Sequence, residues 1–140
     1  MPEIHETVEI KADPEAVFDL ITRVEDFSLY TGLIKEIKPI AAATYRWTVR
    51  VDSITLDWDA TVAEYDRPSQ FGWRSVRGID NRGTYRLQAT ATGTKVSFSM
   101  EYRLANPLLE KVIAPLAEPL IRKVGAEILG AVKERLESGR

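Results

Sequence analysis

The sequence predicts an α+β fold in which a curved antiparallel sheet of about seven strands wraps around one long C-terminal helix, with two short helices after the first strand. Three observations predict it. From Asn106 to Leu136 the apolar residues Leu109, Val112, Ile113, Leu116, Leu120, Ile121, Val124, Ile128, Val132 and Leu136 recur at helical spacing, which makes one wide apolar face. Between Leu33 and Tyr102 apolar and polar residues mostly alternate, as they do in strands with one buried side. Polar and glycine-containing turns punctuate those runs regularly, which favours antiparallel hairpins over parallel crossovers. An apolar sheet face and an apolar helix face bury each other when the sheet curls and the helix lies in its hollow.

In order, Ile4, Val8 and Ile10 alternate with His5, Thr7 and Glu9 in a first strand, and Glu6 falls on its buried parity. Asp13-Pro14-Glu15 then starts a helix, with Asp13 as cap, Pro14 at the first position and Glu15 near the positive end of the dipole. Its stripe is Val17, Phe18, Ile21 and Val24. A second short helix or turn over Glu25 to Tyr30 carries Phe27 and Tyr30 inward before Gly32 breaks it. Ile34 to Ile40 reads as a weak strand that Pro39 assigns to an edge. Tyr45 to Val51 and Ile54 to Val62 are amphipathic strands joined tightly near Asp52-Ser53, with the turn Arg67-Pro68-Ser69 beyond them. Phe71, Trp73 and Ser75 share the inward parity of the next strand, and Arg77 to Gly83 reads as a polar loop. Tyr85, Leu87 and Ala89, a turn at Thr92-Gly93-Thr94, and Val96, Phe98, Met100 and Tyr102 complete the sheet. Asn106 and Pro107 mark the start of the last helix and Ser138-Gly139 its end. Pro115 and Pro119 predict a short first helix or a kink, then a straight run from about Leu120 to Leu136, because proline lacks an N–H and crowds the carbonyl four residues back.

With 140 residues, of which 44% are hydrophobic, the chain is expected to form one domain over 1–140. A net charge of -2 gives no general pull toward nucleic acid or anionic lipid. The absence of Cys removes thiolate catalysis and cysteine metal sites, and fits a cytoplasmic protein. No apolar run has the roughly 20 residues of a membrane span, and Met1-Pro2-Glu3-Ile4-His5-Glu6 lacks the features of a signal peptide.

The order of elements, the Ala-Asp-Pro-Glu-Ala-Val-Phe-Asp-Leu-Ile opening at 12–21, Trp58-Asp59-Ala60, Trp73-Arg74-Ser75 and Gly93-Thr94-Lys95-Val96 resemble the START-like superfamily, also called SRPBCC. Within it the chain is most similar to bacterial polyketide cyclase/dehydrase-type proteins, with more distant likeness to coenzyme Q-binding proteins and the birch pollen allergen class. The resemblance covers nearly the whole chain and implies the helix-grip fold with a deep apolar cavity. The sequence departs from many relatives where they have Tyr-Pro, since Tyr30 is followed by Thr31-Gly32. In cyclases of the family, pocket Arg, Tyr and Ser groups orient a polyketide, but no catalytic motif matches here residue by residue.

Trp47, Trp58, Trp73, Tyr85, Phe98, Met100 and Tyr102 share the inward parity of their strands. They read as ordinary core or, taken as a set in a helix-grip arrangement, as the wall of a ligand cavity with a few oriented hydrogen bonds. Ser75 and Arg77 have the parity of Trp73 and are expected to place a hydroxyl and a cation inside and at the mouth. An inward Glu6 needs a Tyr or Arg partner or takes up a proton, and the alternative is a frayed first strand with Glu6 solvated. Asp57 and Asp59 have the spacing of an acid/base pair, but their parity opposes Trp58, so solvent-facing cross-strand ion pairs beside Arg46, Arg50 and Arg74 are expected. His5, the one histidine, is expected at the surface and cannot by itself build a metal site.

The expected function is binding or transport of a hydrophobic small molecule, such as a lipid, isoprenoid, quinone or polyketide, between the sheet and the last helix. The alternative is an aromatase/cyclase using Tyr85, Tyr102, Ser75 and Arg77, and a weaker one is an interaction domain with a filled core. No cofactor, metal or nucleic acid is implied. Membrane contact, if any, is transient rather than inserted, and the sequence is silent on oligomeric state.

Overall fold

The computed structural model describes residues 3–104 and 107–138. The Asn106 cap, the Gly139 stop and the side chain of Leu109 lie outside the described residues. The elements are β1 (Glu3–Ile10), α1 (Pro14–Ile21), a 3-10 turn (Val24–Asp26), α2 (Phe27–Tyr30), β2 (Ile34–Ala41), β3 (Thr44–Val51), β4 (Ile54–Asp66), β5 (Gln70–Gly78), β6 (Asp80–Ala89), β7 (Thr94–Arg103) and α3 (Pro107–Ser138). The strands form one curved antiparallel sheet in the order β1-β7-β6-β5-β4-β3-β2, the arrangement of the START-like helix-grip fold.

Asp13 occupies the N-cap of α1 in an extended conformation, but its side chain makes no capping hydrogen bond. The α1 stripe is buried as expected: Val17, Phe18 and Ile21 pack with Phe71, Leu87 and Val96 of the sheet and with Ile128, Leu129 and Val132 of α3. Burying each such side chain contributes about 1.5–3 kcal/mol. A smaller cluster joins Ile4 and Tyr102 to Ile113 and Ala117 of α3. The helix is thus anchored to the sheet at two places along its length.

Pro115 and Pro119 do not divide α3, which runs unbroken from Pro107 to Ser138. The two prolines are four residues apart on an exposed face, so the carbonyls they leave unpaired, on Lys111 and Pro115 itself, sit on exposed residues where water can satisfy them. Val112 and Leu116, expected on the apolar face, are exposed at 48% and 42%. Ile113 and Ala117 make the inward contacts there instead.

β1 and β2 are the edges of the sheet. α3 covers the first: Arg122 Nη1 donates to the His5 carbonyl at 3.2 Å and Lys133 Nζ to the Glu9 carbonyl at 2.9 Å. β2 carries Pro39 and two register irregularities, features that blunt an open edge. Asp52, at φ 55, makes the tight β3–β4 turn in the left-handed region that Asp tolerates. Among the described residues no helix is long and apolar enough to cross a membrane.

The expected polar loop over 77–83 is not a loop. β5 continues to Gly78 and β6 begins at Asp80. Ser75 pairs with Ala60 whereas Arg77 pairs with Asp59, so Val76 is an extra residue and the strand bulges there. A bulge of this kind reverses which face the following side chains occupy. Gly78, at φ 84, lies so close to β4 that an added Cβ would stand 2.7 Å from the Asp57 carbonyl oxygen.

Candidate functional site

A cavity of about 160 Å³ lies between the sheet and α3, bordered by both core clusters. The sheet side is formed by Trp47, Trp58, Trp73, Tyr85, Phe98 and Tyr102, with Met100 beside them. Alternation in β3, β4, β5, β6 and β7 turns these side chains to the concave face. α3 supplies Ile113, Ala117, Leu120, Ile121, Val124 and Ile128. Phe27, Leu33 and Ile34 close it from the α2–β2 turn. Among the described residues no charged side chain lines it.

The aromatic wall is ordered by stacking. Trp47 and Trp58, directly opposite each other on β3 and β4, stack with ring centroids 5.8 Å apart and planes 12° apart. Trp73 stacks on Phe98 at 6.1 Å and 16°, and Tyr85 lies 5.1 Å from Phe98. Such pairs add about 0.5–1.5 kcal/mol beyond the area they bury. Two glycines make this packing fit. The Trp73 indole occupies the space a side chain at Gly83 would need, and a Cβ at Gly125 of α3 would stand 3.1 Å from the Phe98 ring.

The polar groups in this wall are few. Asn81, 2% exposed, accepts a hydrogen bond from Trp73 Nε1 at 3.2 Å and donates through Nδ2 to the Ile79 carbonyl at 2.9 Å. Trp58 Nε1 is buried with no hydrogen-bond partner among the described residues. Tyr85 is fully enclosed, and burial pushes its hydroxyl pKa well above the usual phenol range, so it stays protonated.

The remaining expected site residues lie elsewhere. Ser75 is partly buried, but its Oγ accepts the Asn81 backbone N–H at 2.9 Å and the residue is absent from the cavity wall. Arg77 is not at the mouth. The bulge at Val76 turns it to the outer face, where Nε donates to Asp59 Oδ2 at 2.8 Å and Nη2 lies 3.3 Å from Asp57 Oδ1. Glu6 has the inward parity, opposite Phe98, yet it sits on an edge strand within reach of α3 and is held by Arg122 Nη1 at 2.8 Å instead of lining the cavity. Arg was one of the partners its burial called for.

Asp57 and Asp59 do form cross-strand ion pairs, although with Arg46 and Arg77 rather than Arg50 and Arg74. Asp59 does not point freely to solvent: it is 5% exposed under two guanidiniums, with Arg46 Nε and Nη2 at 2.9 and 3.1 Å. Hydrogen bonds from Arg46 and Arg77 hold its carboxyl well below the usual carboxylate range, against the upward push of burial. His5 is exposed, with Nε2 3.0 Å from Glu3 Oε1.

Sequence reasoning missed Ile79 and Asn81, which the supposed loop concealed, and Leu33, Ile113 and Ala117, which it had not singled out for the cavity. Ile79 and Asn81 share the parity of Gly83 and Tyr85, so extending the β6 alternation backward would have found them.

A family model described as polyketide cyclase / dehydrase and lipid transport matches residues 1–137. No curated protein matches the sequence. Among solved structures, the chain is similar to a Thermus thermophilus protein with 21% identity and a TM-score of 0.81, covering 99% of both chains. It is similar to a START superfamily protein from Mycobacterium smegmatis with 15% identity and a TM-score of 0.75, again over 99% of both. The Zhui aromatase/cyclase from a Streptomyces species has 13% identity and a TM-score of 0.71, over 96% of this chain and 94% of that one. At these identities the likeness is one of fold.

Proposed function

The chain belongs to the polyketide cyclase / dehydrase and lipid transport family, and from that premise we propose that it binds and carries a hydrophobic small molecule between the sheet and α3. Family and fold are consistent with hydrophobic-ligand binding or cyclase-like activity. The observation that carries the proposal is the cavity, which holds about 160 Å³ between stacked aromatic rings and the aliphatic face of a helix, with no charged side chain in its wall among the described residues. Transfer of apolar surface out of water would drive binding, at about 25 cal/mol per Å².

The cyclase reading draws support from the fold shared with the aromatase/cyclase, but it has lost two of its four residues. Arg77 is committed to Asp57 and Asp59 on the outer face, and Ser75 to the backbone of Asn81. Tyr85, its pKa raised by burial, is poorly suited to act as a base. Carriage without chemistry accounts for these commitments more simply.

The test is native mass spectrometry of the purified protein together with thermal shifts against a panel of hydrophobic compounds. Retained apolar mass, or a rise in Tm with a subset of the panel, is expected. A protein that is empty and indifferent to every compound would contradict the proposal.

A further inference from the structure

We infer that the cavity takes a compact, flat, uncharged molecule of about one ring that carries a hydrogen-bond acceptor such as a carbonyl oxygen, rather than a lipid chain or a multi-ring polyketide. The inference rests on the ligand-binding reading and narrows it to a chemical class.

Size comes first. An apolar cavity of about 150 Å³ holds benzene, whereas sites for drug-sized ligands start at about 300 Å³. At about 160 Å³ this cavity stands with the former. It cannot lengthen cheaply along the helix, because α3 is pinned on both sides. Ile113 and Ala117 pack with Ile4 and Tyr102, while Ile128, Leu129 and Val132 pack in the main core. A longer occupant would have to dismantle one of these clusters.

Shape and charge follow from the wall. The Trp47–Trp58 and Trp73–Phe98 pairs present stacked planar rings, which favour a flat partner. The nearby charges are already paired away from the cavity, Glu6 with Arg122 and Asp59 with Arg46 and Arg77. A carboxylate or ammonium entering the cavity would lose its water and meet no opposite charge among the described lining residues.

The acceptor is called for by Trp58. An indole N–H donates and cannot accept, and a buried donor without a partner is destabilising. The indole of Trp73 has its acceptor in Asn81 Oδ1, but Trp58 Nε1 has none among the described residues. Trp58 lines the cavity with its Nε1 covered, and a turn of the indole toward the cavity would bring that N–H against a ligand oxygen.

The experiment is a calorimetric titration with acetophenone, its shape-matched hydrocarbon α-methylstyrene, benzoate, palmitate and anthraquinone, using the wild-type protein and Trp58→Phe. Acetophenone should bind about tenfold more tightly than α-methylstyrene, with benzoate, palmitate and anthraquinone weaker than both. Trp58→Phe should remove most of the tenfold preference, and loss of ring stacking would affect the two one-ring probes alike. Should Trp58→Phe fail to fold, the carbonyl stretch of acetophenone bound to the wild type decides: a shift to lower frequency than in hexane supports a hydrogen bond, and its absence overturns one. Equal affinities for acetophenone and α-methylstyrene in the wild type would overturn the acceptor requirement. Binding of palmitate or anthraquinone in preference to the one-ring probes would overturn the size class and leave the ligand-binding reading standing. Failure of all five probes to bind would overturn both.

Discussion

Arg77 Nε lies 2.8 Å from Asp59 Oδ2 across β4 and β5, on the face of the sheet turned away from the cavity. With Arg46 on the other side, Asp59 is clamped between two cations and its pKa is depressed. A carboxyl whose folded pKa lies below its unfolded value of about 3.9 stabilises the fold above that value, and the contribution fades as pH falls toward the folded pKa. Asp59→Asn should therefore lower Tm at pH 7, where it also removes the carboxylate between Arg46 and Arg77 and leaves only Asp57 beside Arg77. The gap between variant and wild type should narrow steadily below about pH 4. Thermal melts across that range check this, and a gap independent of pH would contradict it.

Gly83→Ala should disturb the aromatic wall and, with the Trp73 ring, its hydrogen bond to Asn81. The new methyl would collide with the Trp73 indole, which stacks on Phe98. Overpacking of this kind costs about 1–3 kcal/mol. Denaturant melts should show that loss, and near-UV circular dichroism a changed tryptophan signal. An unchanged signal would mean that Trp73 does not lie over Gly83.

Ala117→Leu should act in the opposite direction on stability. Ala117 is 7% exposed and lines the cavity, so a larger apolar side chain has empty space to enter. Filling it should stabilise the protein by about 0.5–2 kcal/mol. The same change should abolish ligand binding. A variant that is more stable and still binds with full affinity would place the ligand elsewhere.

Thr31→Val tests how the α2–β2 turn is held. Thr31, 3% exposed, donates from Oγ1 to Glu127 Oε1 at 3.0 Å and accepts the Leu33 N–H at 3.3 Å. Valine keeps the shape and removes both hydrogen bonds, leaving a backbone donor unpaired at a cost of about 1–3 kcal/mol. Because Leu33 is part of the cavity wall, ligand dissociation should also quicken in stopped-flow measurements. Unchanged stability and dissociation would mean the turn is fixed by its apolar contacts alone.

Much of this arrangement was legible in the sequence because the signals involved are local and periodic. Alternation placed Trp47, Trp58, Trp73, Tyr85, Phe98, Met100 and Tyr102 on one face, and their strands keep register that far. The alternation stopped being a guide at Val76, since a bulge reads in sequence like any other strand residue, and Arg77 was assigned to the wrong face. The prolines of α3 could not decide between a division and a continuous helix for a different reason: their effect depends on whether the freed carbonyls meet water or protein, which is a property of the packed molecule. The unpartnered state of Trp58 Nε1 likewise concerns what is near it in space. Neither the bulge nor the orphan donor has a sequence signature.

The most direct measurement is isotope-filtered NMR on the protein saturated with acetophenone, reading which protein protons lie next to the ligand. Contacts to the methyls of Ile113 and Ile121 on α3 together with the rings of Trp58 and Trp73 on the sheet are expected, since only a molecule in the gap touches both. Contacts confined to outward residues such as Leu29 and Val76 would contradict an interior site.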